Sequence, residues 1–418
     1  MKADKLYLII LGTRRLSYAT GYTLFAIYLL RIVETNPLGL VLPGVVYELA
    51  TFLGEIPTGV VADVYSRRLS VIIGYALMGL GFIVAGAVPL LLVITIGLAI
   101  AGIGSTFVSG ALAAWLVDEV GEERASQMFL RGSQVSIVAN FVGIGLSMVL
   151  GSMNLQLAVI GAGFPMLILA IVLFKIMPET GFQPVPAAQR ESWRDLFATF
   201  SQGVTYVRGS HIILSICAIT FVFAGFGETF GKLWQAHILE NFTLPTLANL
   251  DDILWFGLIS AVAIPVSLLA TEAMRKQIVI KGNRYVVRTL LLLFTGLSAS
   301  ALLFALSHSF VMMLLGVWLV RTGMAMIAPL MTIWLNQHVA SQTRATVLSI
   351  VGQVNSLGEI VVGGPIAGGI ATLFTVRMAI VLVALSLLPL IPIFRLLNNK
   401  QQDEQAYESQ PSLEQPIT

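Results

Sequence analysis

Charge is scarce in this chain. Asp, Glu, Lys and Arg make up 11% of its 418 residues, against 57% apolar residues, and the mean hydropathy is +0.88. A soluble domain carries about a quarter charged residues, so a soluble globular protein is excluded. Cysteine is nearly absent. Cys217 stands alone inside an apolar run, and no disulfide framework can form. No phosphate-cradling Walker loop occurs, which excludes an ATP-driven pump within this chain. The four histidines, His211, His237, His308 and His338, fall at the ends of apolar runs without metal-ligand spacing. No enzyme signature, metal or cofactor is expected. The net charge of +2 comes without a basic tract, so no nucleic-acid partner is expected. Met1 to Lys5 carries two Lys and one Asp, and the run behind it is too long for a leader and lacks a small-residue cleavage site, so no cleavable signal is expected.

What is present is apolar length. Twelve runs lie at roughly 6–33, 38–63, 69–87, 89–116, 126–150, 156–177, 211–237, 252–273, 286–306, 309–335, 346–372 and 375–395. About 20 apolar residues span a bilayer core as a helix. Gly and Pro are frequent within the runs, as membrane helices tolerate. The pattern predicts an all-α membrane protein with twelve transmembrane helices. With the N-terminus placed in the cytoplasm, eighteen of the 24 Lys and Arg fall at or near the cytoplasmic side. Arg31 and Arg377 fall outside, and Arg14, Arg15, Lys232 and Arg321 lie within runs. This asymmetry puts both termini in the cytoplasm of a multi-pass inner-membrane protein. Residues 178–210 form the longest polar stretch between runs. Trp193 to Tyr206 within it is readable as an amphipathic helix on the inner leaflet or as a solvated linker. Residues 398–418, rich in Gln, Glu, Ser and Pro, predict a disordered cytoplasmic tail.

The two halves repeat a pattern. Gly104, Trp115-Leu116, Val120 and Arg124-Ala125-Ser126 match Gly323, Trp334-Leu335, Val339 and Arg344-Ala345-Thr346, and Gly132 and Gly143 match Gly352 and Gly363. One single-residue slip interrupts an otherwise constant offset. Two pseudo-symmetric six-helix bundles follow, at residues 1–178 and 211–397, joined by a cytoplasmic linker at 179–210, with a substrate site between them near the midplane.

Between the second and third runs stands Gly59-Val-Val-Ala-Asp63-Val-Tyr-Ser-Arg67-Arg68. Gly59 is expected to allow close helix approach, and Asp63 to pair with Arg67 or Arg68 at a helix end. These four residues are the expected conformational switch. The segment resembles the loop signature of the major facilitator superfamily, and the resemblance covers essentially residues 1–397. The string Glu55-Ile-Pro-Thr-Gly59 and Arg344-Ala345-Thr346 resemble bacterial proton-coupled drug exporters of the tetracycline and macrolide type. The chain departs from the exporter pattern in three places. The fifth run lacks a Gly-Pro pair, which the eleventh carries as Gly364-Pro365; the fourth run lacks the expected Arg; and the loop Thr271 to Arg288 is no good copy of the Gly-Asp-Arg signature, keeping of it only the positive charge.

Ionisable residues inside the bilayer are functional candidates. Glu48 and Glu55 lie nearly two turns apart on one face of the second helix. Glu359 lies on the eleventh, which the resemblance places against the second. Glu55 and Glu359, with Glu48 and Asp63, are the expected proton-coupling residues, packing carboxyls being the alternative. Arg14 and Arg15 either snorkel to the interface or face the cavity. Arg321, mid-way along the tenth helix, is a structural ion-pair partner or a substrate contact. Glu228 and Lys232 are spaced to pair near the outer end of the seventh helix. Tyr22, Phe25, Tyr28 and Trp234 are candidates for an aromatic wall. Arg14, Arg15, Tyr22, Phe25, Glu228, Trp234, Arg321 and Asn355 make up the expected substrate-binding set. The reading is a secondary transporter, monomeric in function, that exchanges protons for amphipathic drug-like small molecules across the lipid bilayer. The alternatives are a transporter of a defined metabolite (a sugar, organic anion or lysolipid), for which the arginines favour an anionic group, and a non-transporting receptor.

Overall fold

The computed structural model describes residues 2–182, 193–245, 252–281, 284–339 and 344–394. The middle of the polar linker, 183–192, and the tail at 398–418 lie outside the described residues.

The first crossing is two helices, α1 (Ala3–Tyr22) and α2 (Phe25–Arg31), interrupted at Thr23 and Leu24. A broken helix frees a carbonyl that lipid cannot satisfy. Here the side-chain amide of Gln235 donates to the Thr23 carbonyl at 2.7 Å. The second crossing is α3 (Pro37–Val64). Asn36 caps it by accepting from the Gly39 amide at 2.9 Å, and Pro37 occupies the first turn, where its missing N–H costs nothing. The third is α4 (Arg67–Ala87), capped by Ser66. The fourth is α5 (Leu91–Val108) followed by α6 (Ala111–Val120), broken at Gly110 with φ of +72°. Then come α7 (Glu122–Met153) and α8 (Leu155–Ile176). Between the halves runs α9 (Trp193–Gly209), helical over the stretch read as amphipathic.

The second half holds α10 (His211–Asn241), α11 (Asp252–Lys281), α12 (Arg284–Leu306) and α13 (Phe310–His338). Its fifth crossing joins α14 (Arg344–Val361), a π-helical turn at Val362–Ile366 around Pro365, and α15 (Ala367–Leu373). The last opens with α16 (Val376–Leu385) and runs to Phe394. Among the described residues, eleven of these segments are long and apolar enough to cross a membrane. The broken α1–α2 segment makes the twelfth.

The halves pack alike. In the first, α1 packs on α7, α3 and α4 on α5, and α4 on α8; in the second, α10 on α14, α11 and α12 on α13, and α12 on α16. Glycines set the closest approaches. A Cβ on Gly81 would meet the Gly97 carbonyl at 2.5 Å, and one on Gly104 the Gly74 carbonyl at 2.7 Å. The repeated tryptophans, Trp115 and Trp334, are both buried in the core.

Between the halves, α3 packs on α10, α14 and α15, and α7 on α11. Most of the touching groups sit at the ends away from the Lys/Arg-rich loops. The Leu38 amide donates to the Thr372 hydroxyl at 2.9 Å. Cβ atoms on Gly364, Gly368 and Gly257 would run into Val45, Val41 and Met148. At the other end, Gln353 donates to Glu55 at 2.9 Å.

Candidate functional site

A cavity of about 1130 Å³ lies between the halves. It extends past Ser133 on α7 and Thr271 on α11, toward the Lys/Arg-rich side. Tyr18, Tyr22 and Phe25 form one aromatic wall. Tyr18 and Tyr22 stack at 5.8 Å between ring centroids, and Phe25 meets Tyr22 edge-on at 5.7 Å. Tyr47 closes the wall from α3, with its hydroxyl 3.1 Å from that of Tyr18. Trp234 faces them from α10. Tyr28 does not join the wall. The break at Thr23 and Leu24 turns α2 off the α1 register, so Tyr28 is fully buried and donates to the Ala85 carbonyl at 3.4 Å.

The charges in the cavity fall into two sets. In the first, Glu228 and Lys232 pair at 3.5 Å. They lie along the cavity rather than at the outer end of their helix, because α10 continues to Asn241, beyond the apolar run. Lys232 stands 5.3 Å over the Tyr22 ring. Glu48, on α3, faces Glu228, Lys232 and Glu359, and Glu359 in turn accepts from the Asn355 amide at 2.9 Å. Three carboxyls from three helices and both halves thus gather at one place, with the Lys232 ammonium beside Glu228 and Glu48. At 1.5 Å per residue, Glu48 lies about 16 Å into its helix, at mid-bilayer depth.

Glu55, expected beside Glu359, is not in this cluster. Seven residues below Glu48, it is exposed and bonded to Gln353. Helices α3 and α14 do meet, but two turns along α3 separate Glu55 from the carboxyls. Asn355 does not line the cavity; its amide serves Glu359.

Arg321 is the second set. Its guanidinium lies 4.7 Å over the Trp234 ring, and it lines the cavity. Its Nε is buried without an acceptor. Among the described residues no salt bridge reaches it, so the structural ion pair considered for Arg321 does not form there. Arg15 also lines the cavity, exposed to it, while Arg14 lies 6.0 Å from the Tyr18 ring.

The loop between α3 and α4 is knotted to other helix ends of its own half. Arg67 pairs tightly with Asp118 at the end of α6 and at 3.7 Å with Asp63. Glu179 accepts from the Ser66 hydroxyl at 2.7 Å and from the Arg68 amide at 2.9 Å. The Arg68 guanidinium donates to the Phe174 carbonyl at 2.6 Å. Arg67, not Arg68, is the partner of Asp63, and Asp118 lies closer to Arg67 than Asp63 does. Gly59 does not act as a close-approach residue: a Cβ there would meet nothing within 4 Å. That role falls to Gly102, where a Cβ would meet the Tyr47 carbonyl at 2.6 Å.

A family profile described as Major Facilitator Superfamily matches residues 8–293. A protein of Bacillus subtilis (strain 168), described as an uncharacterized MFS-type transporter, YxaM, is 24% identical over 362 residues, covering 84% of this chain and 85% of its own. Among solved structures, the nucleoside transporter NupG superposes with a TM-score of 0.71 at 13% identity, covering 94% of this chain and 98% of its own. A POT family transporter in complex with 5-aminolevulinic acid gives 0.76 at 13%, covering 95% and 96%. A bacterial homolog of the human lysosomal transporter Spinster, in an inward-facing and unoccupied conformation, gives 0.72 at 11%, covering 95% and 96%. At these identities the likeness is one of fold.

Proposed function

We propose a function from one premise: this chain belongs to the major facilitator superfamily. It is a multi-pass membrane protein of a transporter family. Within that family we read it as a proton-coupled exporter of amphipathic small molecules, working by alternating access in the cytoplasmic membrane with both termini inside. The cluster of Glu48, Glu228 and Glu359, with Lys232 beside the first two, carries the reading. Carboxylates gathered in an apolar setting repel one another, and a proton bound among them relieves that repulsion. The three belong to α3, α10 and α14, which are among the helices that meet between the halves. When the halves rock, the cluster is offered first to one side and then to the other, and the aromatic cavity beside it moves with it. Protonation and substrate occupancy are thereby tied to one motion.

The test is accumulation against a gradient by the full chain in proteoliposomes, with cationic, neutral and anionic amphiphiles as substrates. An acid lumen should drive uptake of at least one of them, with protons leaving in exchange. Glu48→Gln and Glu359→Gln mimic the protonated acid; each should lose uphill accumulation and keep downhill exchange. Uphill accumulation that persists in both variants and in their combination removes the cluster from coupling. For orientation, single cysteines at Glu123 and Asn154 in a Cys217→Ser background should label oppositely, with only position 154 reached from outside intact cells.

A further inference from the structure

Arg321 is the one charge in the cavity that the cluster leaves unexplained. It sits about 16 Å into α13, at the depth where a bare charge is most costly. Its Nε is buried without an acceptor, and its guanidinium lies against Trp234. Among the described residues no other charged side chain offsets it. The other cavity cations have ready explanations: Lys232 is paired with Glu228, and Arg15 is exposed, where water can hydrate it. A cation over an aromatic face gains some stabilisation, but less than a counter-ion supplies.

We propose that Arg321 and Trp234 form an anion subsite, and that the molecules carried are amphipathic carboxylic acids. This rests on the transporter reading and names its substrate class. The acid head docks on the Arg321 guanidinium, whose planar fork suits a carboxylate. A single uncompensated positive charge matches a monoanion; a phosphate monoester would bring up to two charges and leave the excess unpaired. The apolar body lies across the cavity against Tyr18, Tyr22 and Phe25. At about 1130 Å³ the space exceeds what a drug-sized molecule needs. Ser267 on α11 also lines the cavity, and its hydroxyl is 3.4 Å from that of Thr322, the residue that follows Arg321. Division of labour follows. The carboxyl cluster handles the proton and repels a substrate carboxylate, while Arg321, on another helix, holds that carboxylate apart from it.

The experiment is equilibrium binding to the full chain in lipid nanodiscs, with no pH gradient. The probes are pyrenebutyrate, its neutral isostere pyrenebutyramide, and pyrenebutylphosphate. The wild type should bind the carboxylate about tenfold or more tighter than the amide, as a charge-assisted hydrogen bond implies. Arg321→Gln should erase that preference while keeping amide affinity within about twofold, which also shows that the cavity is intact. Arg321→Lys should retain part of the preference. Equal binding of acid and amide by the wild type, or no binding of either, overturns the subsite. So does a preference that survives Arg321→Gln, one abolished by Arg15→Gln instead, or tighter binding of the phosphate than of the carboxylate. No step of the test uses proton coupling. Failed pH-driven accumulation with intact acid preference sinks the coupling reading alone, and the reverse pattern sinks the subsite alone.

Discussion

Gly44 decides how much room the charge cluster has. A Cβ at this position would lie 2.8 Å from Glu228 Oε1 and from Lys232 Cε. Gly44→Val therefore pushes the ion pair aside and crowds Glu48 one turn below. Overpacking of this kind costs about 1–3 kcal/mol. Pyrenebutyrate transport should fall at least about tenfold, and Gly44→Ala should fall between the variant and the wild type. Transport by Gly44→Val at the wild-type rate would show that the pair plays no part. At this scale the sequence was half legible. Glu48, Glu228, Glu359, Lys232 and Arg321 stand out because charge inside a long apolar run is rare. Their grouping does not, since it depends on rotations about three helix axes that no local pattern records. Glu55 and Glu48 share a face, yet depth along α3 separates the one bonded to Gln353 from the one at the cluster. Asp118 was missed altogether: it ends a helix 51 residues from Arg67, among several acids. Tyr18, Tyr47 and Gln235 were missed because aromatic and amide side chains in membrane helices have no spacing that marks a cavity.

Among the elements, the broken first crossing ties the two halves together. Among the described residues, its free Thr23 carbonyl is met from α10, by Gln235. Gln235→Leu keeps the volume and removes the donor. The unmet carbonyl should cost about 1–3 kcal/mol, read as a lower thermal midpoint of the purified protein, whereas Gln235→Glu in its protonated form should retain part of the bond. An unchanged midpoint for the Leu variant would mean that water or lipid head groups reach Thr23. The twelve runs were readable from apolar length alone, with most ends good to a few residues; α11 runs on to Lys281, past the apolar stretch, through charged residues that apolar length does not register. The break was not, because Thr-Leu is no breaker pair and the interruption comes from packing. The break at Gly110 has its counterpart in the repeat at Pro329, inside α13. One half opens its helix and the other keeps it, so the shared pattern marks a weak point and not a fixed shape.

For the whole molecule, closure of one end is the central feature. Gly364 and Gly368 let α15 lie against α3, and side chains there would strike Val45 and Val41. Gly364→Leu should prop that end open and raise the fraction of molecules exposed on it. Spin labels at Leu42 and Phe374 should report a longer mean distance; an unchanged distribution would mean that the contact does not hold the end shut. The symmetry behind this motion was visible in the matched Gly, Trp and Arg positions, while the contacts that close one end, such as Gly364 on Val45, join residues too far apart in sequence for any local pattern to record. The account as a whole stands on one statement, that substrate and proton contend for the same switch. Substrate added to the purified chain in weakly buffered detergent near neutral pH tests it directly. Saturating pyrenebutyrate should release protons in the wild type, and the Glu48→Gln/Glu359→Gln double variant should bind the same probe with no release. Binding by the wild type with no proton displaced would contradict the account.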